Sequence, residues 1–297
     1  MALVSQAAFP QNGSCGTVVI ARGDDFPDAL AAAGLAGVNG GQVLLTQTSY
    51  LTADTKAEIK RLGATKAYVI GDKNSVSDRA FNEVRSLVGG NITRLGGASR
   101  YETALEIYKA GEGGWGKTAI VAIGTKAPDA LSASPVAYAM KAPIFLADDA
   151  GNLSKDVLNE ISNGGFDTVL IMGSKYSVSA SAEKSLRKVA NAVRFSGEDR
   201  YETSQLVAGW ALRNGFTCKS VVVTAGYNGK FADALVASSL GGKNASPLLL
   251  ADNGPVIDRQ ISKVIEPNKA SISKAYVIGD ENSLSNATYN AIQKAIS

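Results

Sequence analysis

Four short signals recur in the same order along the 297 residues, and they leave little room for any fold not built from three copies of one unit. The first is Pro27-Asp28-Ala29-Leu30, repeated as Pro128-Asp129-Ala130-Leu131 and as Ala232-Asp233-Ala234-Leu235, with the aspartates 101 and then 104 residues apart. The second is an apolar run: Val43-Leu44-Leu45, Ile144-Phe145-Leu146 and Leu248-Leu249-Leu250. The third is Tyr68-Val69-Ile70-Gly71, Leu170-Ile171-Met172-Gly173 and Tyr276-Val277-Ile278-Gly279. Each of these glycines precedes a polar turn that ends Ser75-Val76-Ser77, Ser177-Val178-Ser179 or Ser283-Leu284-Ser285. The fourth occurs twice, as Arg94 to Thr103 (RLGGASRYET) and Arg194 to Thr203 (RFSGEDRYET).

Within a copy, short β-branched runs alternate with longer stretches of helical period. In the first copy the pattern predicts strands over 17–22, 42–46, 66–71 and 92–95, and helices over 27–38, 53–62, 77–88 and 100–111. Strands that are short and continuously apolar belong in a parallel sheet covered by helices on both faces. Each copy is therefore expected to be a small open α/β sandwich rather than a solenoid turn, since about a hundred residues can close a core. A composition 45% apolar and 19% charged supplies that core. The copies divide as 1–91, 92–191 and 192–297, the first without its Arg-Tyr-Glu-Thr segment. Leu3 stands 20 residues before Gly23, as Leu206 stands 20 before Gly226, so the chain opens in register inside a helix. A trimmed chain or a piece of a longer polypeptide is the expectation, and Met1-Ala2-Leu3-Val4 does not read as a signal peptide.

The absence of histidine removes the usual general base, the commonest metal ligand and any Ser-His or Cys-His nucleophile. With 30 basic and 27 acidic side chains, no global pull toward nucleic acid arises, and no apolar run is long enough for membrane insertion. No cofactor, metal or catalytic residue is expected. Cys15 and Cys218 each stand eight residues before a copy's first glycine, where the middle copy has Gly116. That exchange points to small buried positions, not to a disulfide framework.

Open parallel sheets bind ligands at the carboxyl ends of their strands, and the recurring polar residues fall there. Asp28, Asp129 and Asp233 follow the first strand of each copy, either as acceptors for helix amides or as acceptors for sugar hydroxyls. The loop glycines Gly23, Gly124 and Gly226 would let backbone amides approach a ligand. Ser77, Ser179 and Ser285 read as helix N-caps, which leaves Ser75, Ser177 and Ser283 to offer hydroxyls to an anion. Arg100 and Arg200 stand at helix starts, where the macrodipole disfavours a cation, so each requires a partner: a carboxylate of a neighbouring copy or an anionic ligand. Tyr101 and Tyr201 suit packing or a stacked sugar, and Thr103 and Thr203 suit the core.

With Arg94-x-x-Gly97-x-x-Arg100-Tyr101-Glu102-Thr103, its counterpart at 194–203, the Asp-Ala-Leu trio and the Gly-then-Ser-x-Ser turns, the whole chain resembles the cell wall binding repeat type 2 family of Gram-positive surface proteins. The resemblance implies three Rossmann- or Toprim-like units in a pseudo-threefold ring. It also implies a secreted, surface-layer-associated wall anchor, not an enzyme, that holds an anionic cell-wall polysaccharide non-covalently at the repeat junctions. It assigns that role to Asp28, Asp129, Asp233, Arg100 and Arg200, and to Ser75, Ser177 and Ser283. Two departures suggest unequal junctions: the first copy has no Arg-Tyr-Glu-Thr, and Ser174-Lys175-Tyr176 replaces the Asp and Asn found at Asp72, Asn74, Asp280 and Asn282. Two alternatives remain at this level. One is a Toprim-like metal-dependent enzyme using Asp24, Asp25 and Asp28, and the other is an adhesive scaffold that binds through its outer faces.

Overall fold

A computed structural model describes residues 1–23, 28–227 and 231–297. In it each short apolar run forms a strand and each longer segment forms a helix beside it. The first sheet and its helices comprise α1 (Ala2–Ala8), β1 (Thr17–Arg22), α2 (Ala32–Val38), β2 (Gln42–Thr46), α3 (Ala53–Leu62), β3 (Lys66–Ile70), α4 (Asp78–Leu87) and β4 (Ile92–Leu95). The second contributes α5 (Arg100–Ala110), β5 (Thr118–Ile123), α6 (Ala127–Ser132), α7 (Ser134–Ala139), β6 (Ile144–Ala147), α8 (Lys155–Asn163), β7 (Thr168–Met172), α9 (Ala180–Leu186) and β8 (Asn191–Phe195). The third contributes α10 (Arg200–Arg213), β9 (Ser220–Ala225), α11 (Phe231–Lys243), β10 (Leu248–Ala251), α12 (Pro255–Gln260), β11 (Lys274–Ile278) and α13 (Asn286–Ile296).

All pairings are parallel, in the orders β2-β1-β3-β4, β6-β5-β7-β8 and β10-β9-β11. The chain leaves each first strand for a neighbour on one side and returns on the other. The switch point of each sheet therefore lies between its first and third strands, at their carboxyl ends. The central strands are buried on both faces; Val18, Ile20, Val121 and Val222 are wholly inaccessible.

The element boundaries follow from local chemistry. Ser77, Ser179 and Ser285 cap α4, α9 and α13, accepting from the amides of Ala80, Ala182 and Thr288. Strand β3 stops at Ile70, one residue earlier than expected, because Gly71 takes φ +97°, which no side chain tolerates well. The helix expected over 27–38 resolves into a 3-10 turn at Ala29–Ala31 followed by α2, while Pro27 lies outside the described residues. In the second copy the same helix breaks at Ala133, just before Ser134-Pro135. Cys15 and Cys218 are buried and unpaired, as small core residues.

The three copies meet along α2, α7 and α11, one helix from each, which pack against one another at the centre. Small residues allow this approach. A Cβ at Gly37 would overlap the Tyr138 carbonyl oxygen, and one at Gly242 would strike the Tyr138 side chain 2.5 Å away. Around this centre, α5 lies on β6 and α10 on β10, so each Arg-Tyr-Glu-Thr helix is reached from the last strand of one copy and packs on the sheet of the next.

Candidate functional site

The carboxyl end of each first strand brings the Asp-Ala-Leu aspartate against the turn that follows the third strand. Ser75 Oγ donates to Asp28 Oδ2 at 2.8 Å, across 47 residues of chain. Both atoms crowd Gly71, where an added Cβ would lie 2.9 Å from Asp28 Oδ2 and 2.5 Å from Ser75 Cβ. Gly173 sits in the same way between Asp129 Oδ2 and Ser177, and Gly279 between Asp233 Oδ2 and Ser283. The three signals first seen as separate motifs thus form one constellation per copy. Asp28 is not the side-chain cap considered above, because it accepts no amide of the helix that follows it. Its carboxylate is held by the serine instead. In the third copy Ser283 Oγ turns to Asp280 Oδ1 at 2.6 Å, so the constellation is present with a different internal bond.

The Arg-Tyr-Glu-Thr segment completes the arrangement from the next copy. Its Glu and Thr organise their own loop. Ser99 and Asp199 cap α5 and α10 through the amides of Glu102 and Glu202. Glu102 and Glu202 reach back to the amides of Ala98 and Glu198, a variant of the capping box. Thr103 and Thr203, both buried, accept from the Gly97 and Gly197 amides at 3.1 and 3.2 Å. The loop is therefore rigid when it presents its arginine.

Arg100 Nη1 and Arg200 Nη1 donate to the carbonyls of Gly124 and Gly226 at 2.8 Å each. One partner of each arginine is thus a backbone oxygen just after the first strand of its own copy. Tyr101 and Tyr201 likewise bond within their own copies, donating to Asp149 Oδ1 at 3.0 Å and Asp252 Oδ2 at 3.2 Å. Their rings lie over Gly124 and Gly226, where a Cβ would come within 2.8 and 2.7 Å of a ring carbon. This corrects the role expected of the loop glycines. The amides of Gly23, Gly124 and Gly226 are spent on the carbonyls of Thr46, Ala147 and Ala251, and at Gly124 and Gly226 the missing side chain makes room for a tyrosine.

Two open cavities result. The first, about 360 Å³, is lined by Arg22, Asp28, Asp72, Ser75 and the loop from Gly97 to Arg100. The second, about 620 Å³, gathers Lys126, Asp129, Ser174, Ser177, Glu198, Asp199 and Arg200. Each faces a ligand with both carboxylates and cations. Burial raises the Asp129 carboxyl above the usual aspartate range, and the nearby Arg200 and Lys126 only partly offset it. Asp199 goes the other way: burial works to raise it, but a 2.6 Å ion pair with Arg259 and the Glu202 amide outweigh that and lower it.

The third junction is built differently. Asp233 and Ser283 line a cavity of about 630 Å³ with Met1 and with Leu3 and Val4 of α1, and no arginine is among its described lining residues.

Sequence inspection passed over the first arginine of the long motif. Arg94 Nη1 donates to the carbonyls of Gly71, Asp72 and Val76, and Arg194 to those of Gly173 and Val178. These arginines clamp the turn that carries Ser75 and Ser177, and their fixed six-residue spacing from Arg100 and Arg200 was the available signal. Asp72, whose Oδ1 accepts the amides of Asn74 and Ser75, was seen only as a point of difference between copies. Asp24 and Asp25 lie outside the described residues. Among the described residues, no three of His, Cys, Asp and Glu are grouped so as to hold a metal ion. No described helix is long and apolar enough to cross a membrane.

Comparison with known proteins places this architecture. The amidase enhancer of Bacillus subtilis (strain 168) is 32% identical over 279 residues, covering 93% of this chain and 36% of the relative. N-acetylmuramoyl-L-alanine amidase LytC of the same organism is 26% identical over 280 residues, covering 94% of this chain and 53% of the relative. The chain thus spans between about a third and a half of the length of these curated relatives. Among solved structures, Cwp6 from Clostridium difficile superposes with a TM-score of 0.85 at 26% identity, covering all of this chain and 46% of that one. Cwp8 from Clostridium difficile superposes with a TM-score of 0.84 at 25% identity, covering 99% and 49%. The model of cell wall binding domain 2 (CWB2) matches residues 1–81, 94–183 and 194–289, so the chain belongs to the cell wall binding domain 2 family, with three repeats.

Proposed function

We propose that the chain is a non-catalytic anchor that holds an anionic cell-wall polysaccharide non-covalently in its repeat junctions, on the outer surface of the cell. The polymer is of the teichoic-acid or phosphorylated polysaccharide class. The repeats divide at 1–91, 92–191 and 192–297, and the unit works as part of a longer polypeptide whose other regions carry a separate activity. One observation carries the proposal. At two junctions an aspartate and a serine of one copy stand across an open cavity from the arginine presented by the next. Arg100 and Arg200 take the acidic groups of the polymer, Asp28 and Asp129 accept its hydroxyls, Ser75 holds the Asp28 carboxylate in place, and Ser177 stands on the other side of Gly173 from Asp129. Asp233 and Ser283 form the weaker third site, which has no arginine among its described lining residues.

The test is retention of the protein on purified cell walls before and after acid extraction of the anionic polymers. Binding is expected to fall on stripped walls, to weaken as salt rises, and to be lost in an Arg100→Gln/Arg200→Gln double variant. The corresponding lysine variants, which keep the charge, should retain part of it. Equal binding to stripped and intact walls would rule the anionic polymer out.

A further inference from the structure

The first and second junctions differ in one consistent direction. Their turns after the third strand share a backbone plan: Asp72 Oδ1 accepts the Asn74 amide at 2.9 Å, and Ser174 Oγ accepts the Tyr176 amide at 3.2 Å. The side chain two places on does not follow that plan. Asn74 folds back on Asp72 Oδ2 at 2.7 Å, as Asn282 does on Asp280 at 3.2 Å, whereas Tyr176 is 76% exposed. It stands between Ser174 and Ser177, which both line the second cavity, and the Lys175 ammonium lies 5.3 Å from its ring centroid. The next copy adds an apolar wall. Phe231, two residues before Asp233 and held in the core at 8% exposure, lines the second cavity with Ala127 and Pro128. Ala127 holds the same register before Asp129 and is not among the described residues lining the first cavity. The second cavity, about 620 Å³ against about 360 Å³, thus exchanges the carboxylate of Asp72 for a serine and gains aromatic surface.

We propose that the second junction is a pyranose subsite, which holds a hexosyl ring against Phe231 and Pro128 while Arg200 and Lys126 hold the phosphate joined to it. This subsite rests on the anionic anchor proposed above and narrows its ligand from any phosphate polymer to one with a sugar ring beside the phosphate. A pyranose carries hydroxyls round its rim and C–H groups across its faces. A face laid on Phe231 and Pro128, with Tyr176 at the mouth, buries apolar surface, and aromatic rings suit such flat partners. The rim then meets Asp129, Ser174 and Ser177, so the hydroxyls leave water for polar groups. A polyol phosphate such as glycerol phosphate has no apolar face of that kind. Its hydroxyls would lose water against Phe231 without gaining an acceptor there, which costs affinity. The first junction, with no aromatic side chain among its described lining residues, takes either phosphate alike.

The probes are glucose 1-phosphate and glycerol 3-phosphate, titrated separately into the intact chain and followed by proton NMR. Expected is about tenfold tighter binding of glucose 1-phosphate at the second junction, with saturation transfer from aromatic ring protons to its C–H protons. Tyr176→Asn, which gives the turn the side chain of the first copy, should move the ratio of the two affinities toward one. Phe231→Leu, which keeps an apolar side chain in the core, should do the same. Tyr176 is exposed, so its variant carries the test even where Phe231→Leu folds poorly. Arg200→Gln should lose both ligands at this junction. Equal affinities, binding of neither phosphate, or a preference that neither variant reduces overturns the pyranose subsite. The anionic anchor falls separately, by equal retention on stripped and intact walls.

Discussion

Arg100 and Arg200 each give a donor to a glycine carbonyl and line a cavity together with an aspartate and a serine of the preceding copy. Such a cation costs little to present, because the donor turned inward is satisfied without ligand. Asp129 supplies a pH dependence. Its carboxyl titrates above the ordinary aspartate range, chiefly because of burial, with Arg200 and Lys126 facing it. The folded state thus favours the protonated acid. The stability this contributes is present at low pH and is lost as pH rises through the folded value. For an anionic polymer the same proton removes a repelling charge. Binding should therefore tighten as pH falls from neutral toward about 4, the ordinary aspartate value. In Asp129→Asn the part of the pH profile due to this junction should flatten, with neutral-pH affinity equal to or above that of the parent. Calorimetric titration across the range measures both. A second prediction concerns Ser75, which donates to Asp28 at 2.8 Å. Ser75→Ala should weaken polymer binding at the first junction and lower stability by about 1 kcal/mol, read by chemical denaturation.

At the scale of elements, the constellations depend on helices that approach one another more closely than side chains usually permit. Gly37 on α2 and Gly242 on α11 both meet Tyr138 of α7. Gly242→Ala should raise helix propensity locally and still destabilise the protein by about 1–3 kcal/mol, because the new methyl has a buried tyrosine in its way. An increase in melting temperature would show that α7 can shift freely. The pair β3 and β11 teaches a related lesson. Five identical residues form the same strand in both places, so strand formation was legible locally, but their burial was not. Burial depends on β4, which is contributed by residues some 20 positions further along the chain.

At the scale of the whole molecule, the ring makes junctions out of copies that would otherwise each stand alone. Among the described residues two junctions carry an arginine and one does not, and a single body presents all of them to one polymer. Their contributions should then multiply. Arg100→Gln and Arg200→Gln singly should each reduce retention on walls moderately, whereas the double variant should lose far more than either, as expected when one tether remains after the other is cut. Additive losses measured with isolated short oligosaccharides, together with more than additive losses on intact walls, would identify avidity as the source.

Much of this could be read from the residues in order. The threefold repeat, the parallel strands, the N-capping serines and the buried cysteines all follow from spacing and side-chain chemistry acting over a few positions, and such effects are printed in the local sequence. The candidate aspartates, serines and arginines could be nominated in the same way. What they do to one another could not. That Ser75 is bound to Asp28, that each arginine finds a backbone oxygen beyond the next strand, and that Gly124 and Gly226 make room for tyrosines rather than ligands are contacts between segments tens of residues apart. Hydrogen bonds and close packing depend on distances of a few tenths of an ångström, and only the docking of α2, α7 and α11 and the crossing of α5 and α10 onto neighbouring sheets bring those distances into being.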